Sequence, residues 1–286
     1  MSTSSSSISP GAAEAEHAAA SSGGPLLVAV AVPFLVYAIA LALVSALFPY
    51  RPALDDNEWL YLAHSVAERG QLAADGVFMR VPLWQLMLGS LVGWAGDRAS
   101  VLGLQAVAVL GAFVLLARRR LPDVATSGSA RWHHSAMWVG LLFAVSPQLV
   151  LYSRHAATEL WIGLFAMAVV SIGERSDSFD VRRAGLLGLV IGAATMTKLA
   201  AAVLALPALL YLWHARERLP ALHGLAAAAA GFAVVVVPLV VLTVVQRGLP
   251  LDDTSAFNLG PLDIEAWEAA GGSAARSALS MQAFGD

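Results

Sequence analysis

The chain has no cysteine, one lysine and little charge of either sign. Without cysteine there is no disulfide, no thiolate nucleophile and no cysteine metal site. Sixteen of the seventeen basic residues are arginine, and Lys198 stands inside an apolar stretch. Charged residues make up 13% of the chain against 58% hydrophobic, whereas an average soluble domain carries about 25% charged residues. One globular core cannot hide that deficit, so lipid is the solvent for much of this chain. The phosphate-binding, dinucleotide-binding, zinc-protease and serine-hydrolase signatures are all missing, which argues against those chemistries. No basic surface with interleaved aromatics points to nucleic acid. His133-His134 reads as a solvated loop pair rather than a metal site.

What is present is a series of long apolar runs. Residues 25–48 carry no charge and exceed the roughly 20 residues needed to cross about 30 Å of hydrocarbon. Further runs fall at 99–117, 135–152, 160–172, 184–197, 199–213 and 221–245. The expected fold is all-α: a polytopic membrane protein of about seven transmembrane helices. Residues 81–96 form a shorter run, expected to be a partly embedded helix. Residues 1–24 are Ser, Ala and Gly with few bulky apolar groups, a composition expected to stay disordered. The domain reading is a cytoplasmic tail over 1–24, a membrane domain over 25–245 and an extracytoplasmic tail over 246–286. That last tail carries one short helix near Ile264–Ala270 and reads as truncated.

The longest polar interruption runs from Pro49 to Pro82. Within it Trp59, Leu62, Ala63, Val66 and Ala67 recur at helical spacing, which predicts an amphipathic helix. Such a helix is expected to lie in the membrane interface, with Gly70 as its stop. Asp55 and Asp56 open it. Asp55-x-x-Glu58 has the form of a capping box, and a carboxylate at that point can equally serve as a general base. Both readings stay open.

Four other residues carry charge where it is costly. Arg80-x-Pro82 is either a snorkelling anchor or an anion site. Arg154 and Glu159 flank the start of the fourth apolar run, as a structural pair or as site-lining residues. Lys198 needs an anionic partner, which could be Glu159 or a lipid phosphate. Basic residues cluster in the loops at 118–134, 173–183 and 214–220, and loops rich in Lys and Arg stay inside. The N-terminus is then cytoplasmic, and Asp55 and Asp56 face outward.

The order of these features resembles a family. A first span precedes Asp55-Asp56 and Trp59 on an amphipathic helix. Arg80-x-Pro82-Leu83-Trp84, Gly96-Asp97-Arg98 and Arg118–Arg120 follow. Then come Ser146-Pro147, Tyr152-Ser153-Arg154, Thr158-Glu159, Thr197-Lys198 and Leu206-Pro207. The pattern is similar to the GT-C membrane glycosyltransferases, in the group of protein O-mannosyltransferases and aminoarabinose transferases, over residues 25–245. The resemblance implies a sugar donor carried on a polyprenyl phosphate and an extracytoplasmic glycan, lipid or protein acceptor, in the plasma (inner) membrane. It carries the acid-base role onto Asp55, with Asp56 beside it. Arg80, Arg154, Glu159 and Lys198 fall where donor-binding residues are expected. No cofactor is implied, and a divalent metal stays open. A non-catalytic subunit of an envelope glycosylation complex is the alternative. A transporter rests only on Lys198 and Glu159.

Overall fold

The computed structural model describes residues 10–48, 54–72, 81–118, 129–174, 180–217 and 219–247. Every regular element among them is helical. In chain order these are α1 (Pro10–Leu47), α2 (Leu54–Arg69), α3 (Pro82–Ala95), α4 (Asp97–Arg118), α5 (Ser129–Ala144), α6 (Pro147–Tyr152) and α7 (Glu159–Gly173). They are followed by α8 (Val181–Thr197), a 3-10 helix (Leu199–Leu204), α9 (Ala205–His214), a 3-10 turn (Ala215–Glu217) and α10 (Ala221–Arg247).

Three segments are long and apolar enough to cross a bilayer: Gly24–Leu47 of α1, Asp97–Arg118 and Ala221–Gln246. They correspond to the expected runs at 25–48, 99–117 and 221–245. The count of about seven spans is not met by length. The 15 residues of α7 extend about 22 Å, well short of the hydrocarbon thickness. The run at 135–152 is not one helix: α5 ends at Ala144, and Pro147 opens α6. Proline lacks the N–H that would continue a helix but suits the first helical position. At the other end of the chain's first run, α1 is helical from Pro10, so helix covers part of the tail expected to be disordered. Its alanine content favours this.

Packing partners fix the helix directions. α1 and α5 run the same way, because Ala136 packs near Ala29 and the Pro33 ring sits against Gly140. Only a residue without a Cβ admits that ring: a Cβ on Gly140 would lie 2.9 Å from the Pro33 Cγ. The α1 kink-former is thereby housed in a groove of α5. α4 runs against α1, with Phe113 and Val109 in the Tyr37 cluster and Ala117 beside Ala29. α8 and α10 run the same way in close backbone contact, Gly188 facing Ala228 and Gly192 facing Phe232. α7 opposes α8, and the Tyr211 ring of α9 lies on Gly173 at the end of α7.

α2 is the helix that the apolar stripe predicts. Its stripe of Trp59, Leu62 and Ala63 is buried, in one cluster with Trp84, Leu88 and Val92 of α3. The two helices run side by side in the same direction. Gly89 allows this, since a Cβ there would come within 2.6 Å of the Val66 Cβ and 2.8 Å of the Ala63 carbonyl. Burying the stripe against α3 removes it from lipid. Gly70 ends α2 with φ +67°, and its N–H donates to the Val66 carbonyl at 3.0 Å, an αL cap of the kind glycine favours. The Gln246 side chain then ties this cap to the end of α10. Its Oε1 accepts from the Leu72 N–H at 2.8 Å, and its Nε2 donates to the Gly70 carbonyl at 3.1 Å.

Candidate functional site

The segment Ser153–Thr158 joins α6 to α7 as a turn inside the protein. Its carbonyls are held by side chains from two other helices. The Trp84 Nε1–H donates to the Ala156 carbonyl at 3.0 Å, and the Gln105 amide donates to the His155 and Ala157 carbonyls at 2.9 and 2.6 Å. Ser153 donates to Leu149 at 2.6 Å. Non-helical backbone is costly away from water unless its polar groups are satisfied, so Trp84 and Gln105 are what make this turn tolerable.

The turn presents Arg154. Its side chain is nine-tenths buried, and its Nη2 donates to the Phe48 carbonyl just beyond α1 at 2.5 Å. Basic side chains commonly satisfy such carbonyls at helix C-termini. Arg154 also lines a half-open groove of about 490 Å³ between α1 and α6. Ala40, Val44, Phe48, Val150 and Leu151 make most of the remaining wall. An arginine at the edge of a hydrocarbon-lined groove suits an amphiphile with an anionic head.

Glu159 opens α7, where the helix dipole favours a carboxylate. Its Oε1 meets the Lys198 Nζ at 2.8 Å, with both side chains 43% exposed. Lys198 itself is extended, φ −156° and ψ 125°, at the break between α8 and the 3-10 helix. The neighbouring hydroxyls are committed elsewhere: Thr195 donates to Ile191 and Thr197 to Ala193, each at 2.8 Å. Of the partners the sequence left open for Lys198, the structure contains Glu159. Arg154 does not pair with Glu159.

Asp55 and Asp56 fall in the first turn of α2, which starts at Leu54. Asp55 is therefore inside the helix rather than at the capping position; the side chains of both lie outside the described residues, as does Arg80. One helical turn further on, Trp59 packs edge-on against Trp84, with ring centroids 6.5 Å apart. Trp84 in turn lies 6.3 Å from Trp161 of α7. A chain of three indoles thus connects the opening of α2 with the turn bearing Arg154 and with the helix opened by Glu159.

Two contributors were missed in the sequence. Gln105 is a buried amide in an apolar helix, and that isolation was its only signal. His64 lies off the apolar stripe, so the helical pattern gave it no role. Its Nε2 lies 2.8 Å from Asp97 Oδ1 and its Nδ1 3.3 Å from Glu68 Oε1, which joins α2 to the start of α4. His133 and His134 belong to α5 rather than to a loop, and His134 accepts from the Trp138 indole at 2.9 Å. Among the described residues no group of three or more His, Asp or Glu could hold a metal ion.

Fold and site together define a helical membrane protein with a charged, partly enclosed junction at one end of its helices. The chain matches no family model, no curated protein and no solved structure.

Proposed function

We propose that the chain is a membrane glycosyltransferase of the GT-C type, acting on a polyprenyl-phosphate-linked sugar. The family assignment rests on the order of sequence motifs. The supporting observation is the indole chain Trp59–Trp84–Trp161, which draws the acidic opening of α2 towards the segment carrying Arg154 and Glu159. In this reading the Asp55 carboxylate takes the acceptor hydroxyl proton as the new sugar–oxygen bond forms. The bond between the sugar and the donor phosphate breaks, and polyprenyl phosphate leaves with the electron pair. The leaving group is an anion, so it needs positive charge more than a proton. Arg154, Lys198 and Arg80 supply that charge, while the apolar groove beside Arg154 accommodates the start of the prenyl chain. Asp56 supports the acidic focus. In this reading the membrane is the inner membrane, with the N-terminus cytoplasmic and this junction outside.

The test is Asp55→Asn in nanodiscs, with sugar transfer from a polyprenyl-phospho-sugar as the readout. Losing a general base costs on the order of 10²–10⁴-fold in rate. A folded Asp55→Asn protein with unchanged transfer would sink the assignment. One observation favours a non-catalytic scaffold instead: Lys198 and Arg154 both already have protein partners. That alternative expects no transfer by the unaltered chain.

A further inference from the structure

The Glu159–Lys198 pair is partly exposed rather than enclosed. An ion pair that is not enclosed braces a fold only weakly. This one is 43% exposed on both sides. It also stands at a break in the helix, at the edge of a turn whose carbonyls two other helices satisfy. An ammonium has three N–H donors; among the described residues only Glu159 receives one from Lys198. The adjacent threonine hydroxyls are turned to their own helix. The ammonium is thus partly open at the protein surface, with N–H donors left for a second anion.

We propose that Glu159 is a displaceable counter-ion for Lys198, exchanged for a phosphate group when a lipid phosphate enters. This deepens the glycosyltransferase reading and rests on it. Glu159 keeps Lys198 neutralised in the empty protein. The arriving phosphate takes Lys198, and the carboxylate is released towards solvent. Glu159 is thus a positioning residue that sets selectivity: a neutral lipid cannot replace it, whereas an anionic head group can. The cost of opening the pair is subtracted from the affinity for the ligand.

The experiment measures binding of undecaprenyl phosphate to the full chain in phosphatidylcholine nanodiscs. It compares the unaltered protein with Glu159→Gln, Lys198→Gln, the double variant and Arg154→Gln. Removing the competing carboxylate should tighten binding by up to about fivefold, the equivalent of an exposed pair. Lys198→Gln should weaken it, and in the double variant the gain from Glu159→Gln should vanish, as coupled residues require. A structural brace behaves differently: Glu159→Gln would then lower thermal stability and leave affinity the same or weaker. That result, in a protein of unchanged helicity, overturns the proposal. If Arg154→Gln weakens binding while Glu159→Gln leaves it unchanged, the exchange fails but the glycosyltransferase reading survives. If the unaltered chain does not bind undecaprenyl phosphate, both fail. Inorganic phosphate competing as strongly as the lipid would overturn the lipid identity of the ligand.

Discussion

The indole nitrogen of Trp84 donates to the carbonyl of Ala156 across 72 residues of chain, inside a side-chain environment with no exposure of the Trp84 ring. α3 thereby holds the turn that presents Arg154. Trp84→Phe keeps most of the ring packing but removes the donor, at an expected cost of about 1–3 kcal/mol for a buried polar group. Gln105→Leu removes the donors to His155 and Ala157. Both variants loosen the same turn, so their effects should not add; a coupling of about 0.5–3 kcal/mol is expected. Thermal unfolding of the two single variants and the double variant in detergent provides the measurement. Strict additivity would mean that Trp84 and Gln105 act on separate structures.

The contact between α8 and α10 yields a sharper contrast between two glycines. A Cβ on Gly188 would run into the Ala228 carbonyl, whereas one on Gly163 of α7 meets nothing within 4 Å. Gly188→Ala forces two backbones apart, and overpacking of this kind costs about 1–3 kcal/mol or more. Gly163→Ala adds a better helix former at an open position and should stabilise by up to about 1 kcal/mol. The two substitutions are chemically identical, so opposite shifts in the detergent unfolding midpoint would isolate the packing. Equal shifts would contradict the close approach of α8 and α10.

The sequence was most informative where physics acts along a single helix. Uncharged length located α4, α10 and the membrane-crossing part of α1 to within a few residues, and Lys198 marked the break after α8 because an ammonium does not continue a hydrocarbon-facing run. The division of 135–152 was hidden, since Val145 and Ser146 interrupt neither hydropathy nor charge; Pro147 alone hinted at it. α2 was legible as an amphipathic helix, but its partner was not. Periodicity shows that a stripe must be covered, and Gly89, which lets α3 cover it, lies outside the pattern. Within the site, residue type picked out Arg154, Glu159 and Lys198. Which charges meet is decided by a contact across 39 residues, and Gln105 gains its role from carbonyls about 50 residues away. Neither leaves a trace in local spacing.

Helix ends also give a test of orientation. His64 near the end of α2 reaches Asp97 at the start of α4, and Gln246 at the end of α10 reaches Gly70 and Leu72 just past α2. These ends share one side of the protein. Leu222, at the start of α10, lies 24 residues earlier than Gln246, about 36 Å along a helix, which exceeds the roughly 30 Å of hydrocarbon. Trp94, beside the α3–α4 turn, and Leu222 are 86% and 81% exposed. With no native cysteine to mask, Trp94→Cys and Leu222→Cys can each be the sole thiol in the chain. A membrane-impermeant maleimide applied to intact cells should label Trp94→Cys at once and Leu222→Cys only after lysis. The reverse pattern would put the Arg154 and Lys198 junction on the cytoplasmic side, out of reach of an extracytoplasmic acceptor. Equal labelling of both before lysis would mean that α10 does not cross the membrane at all.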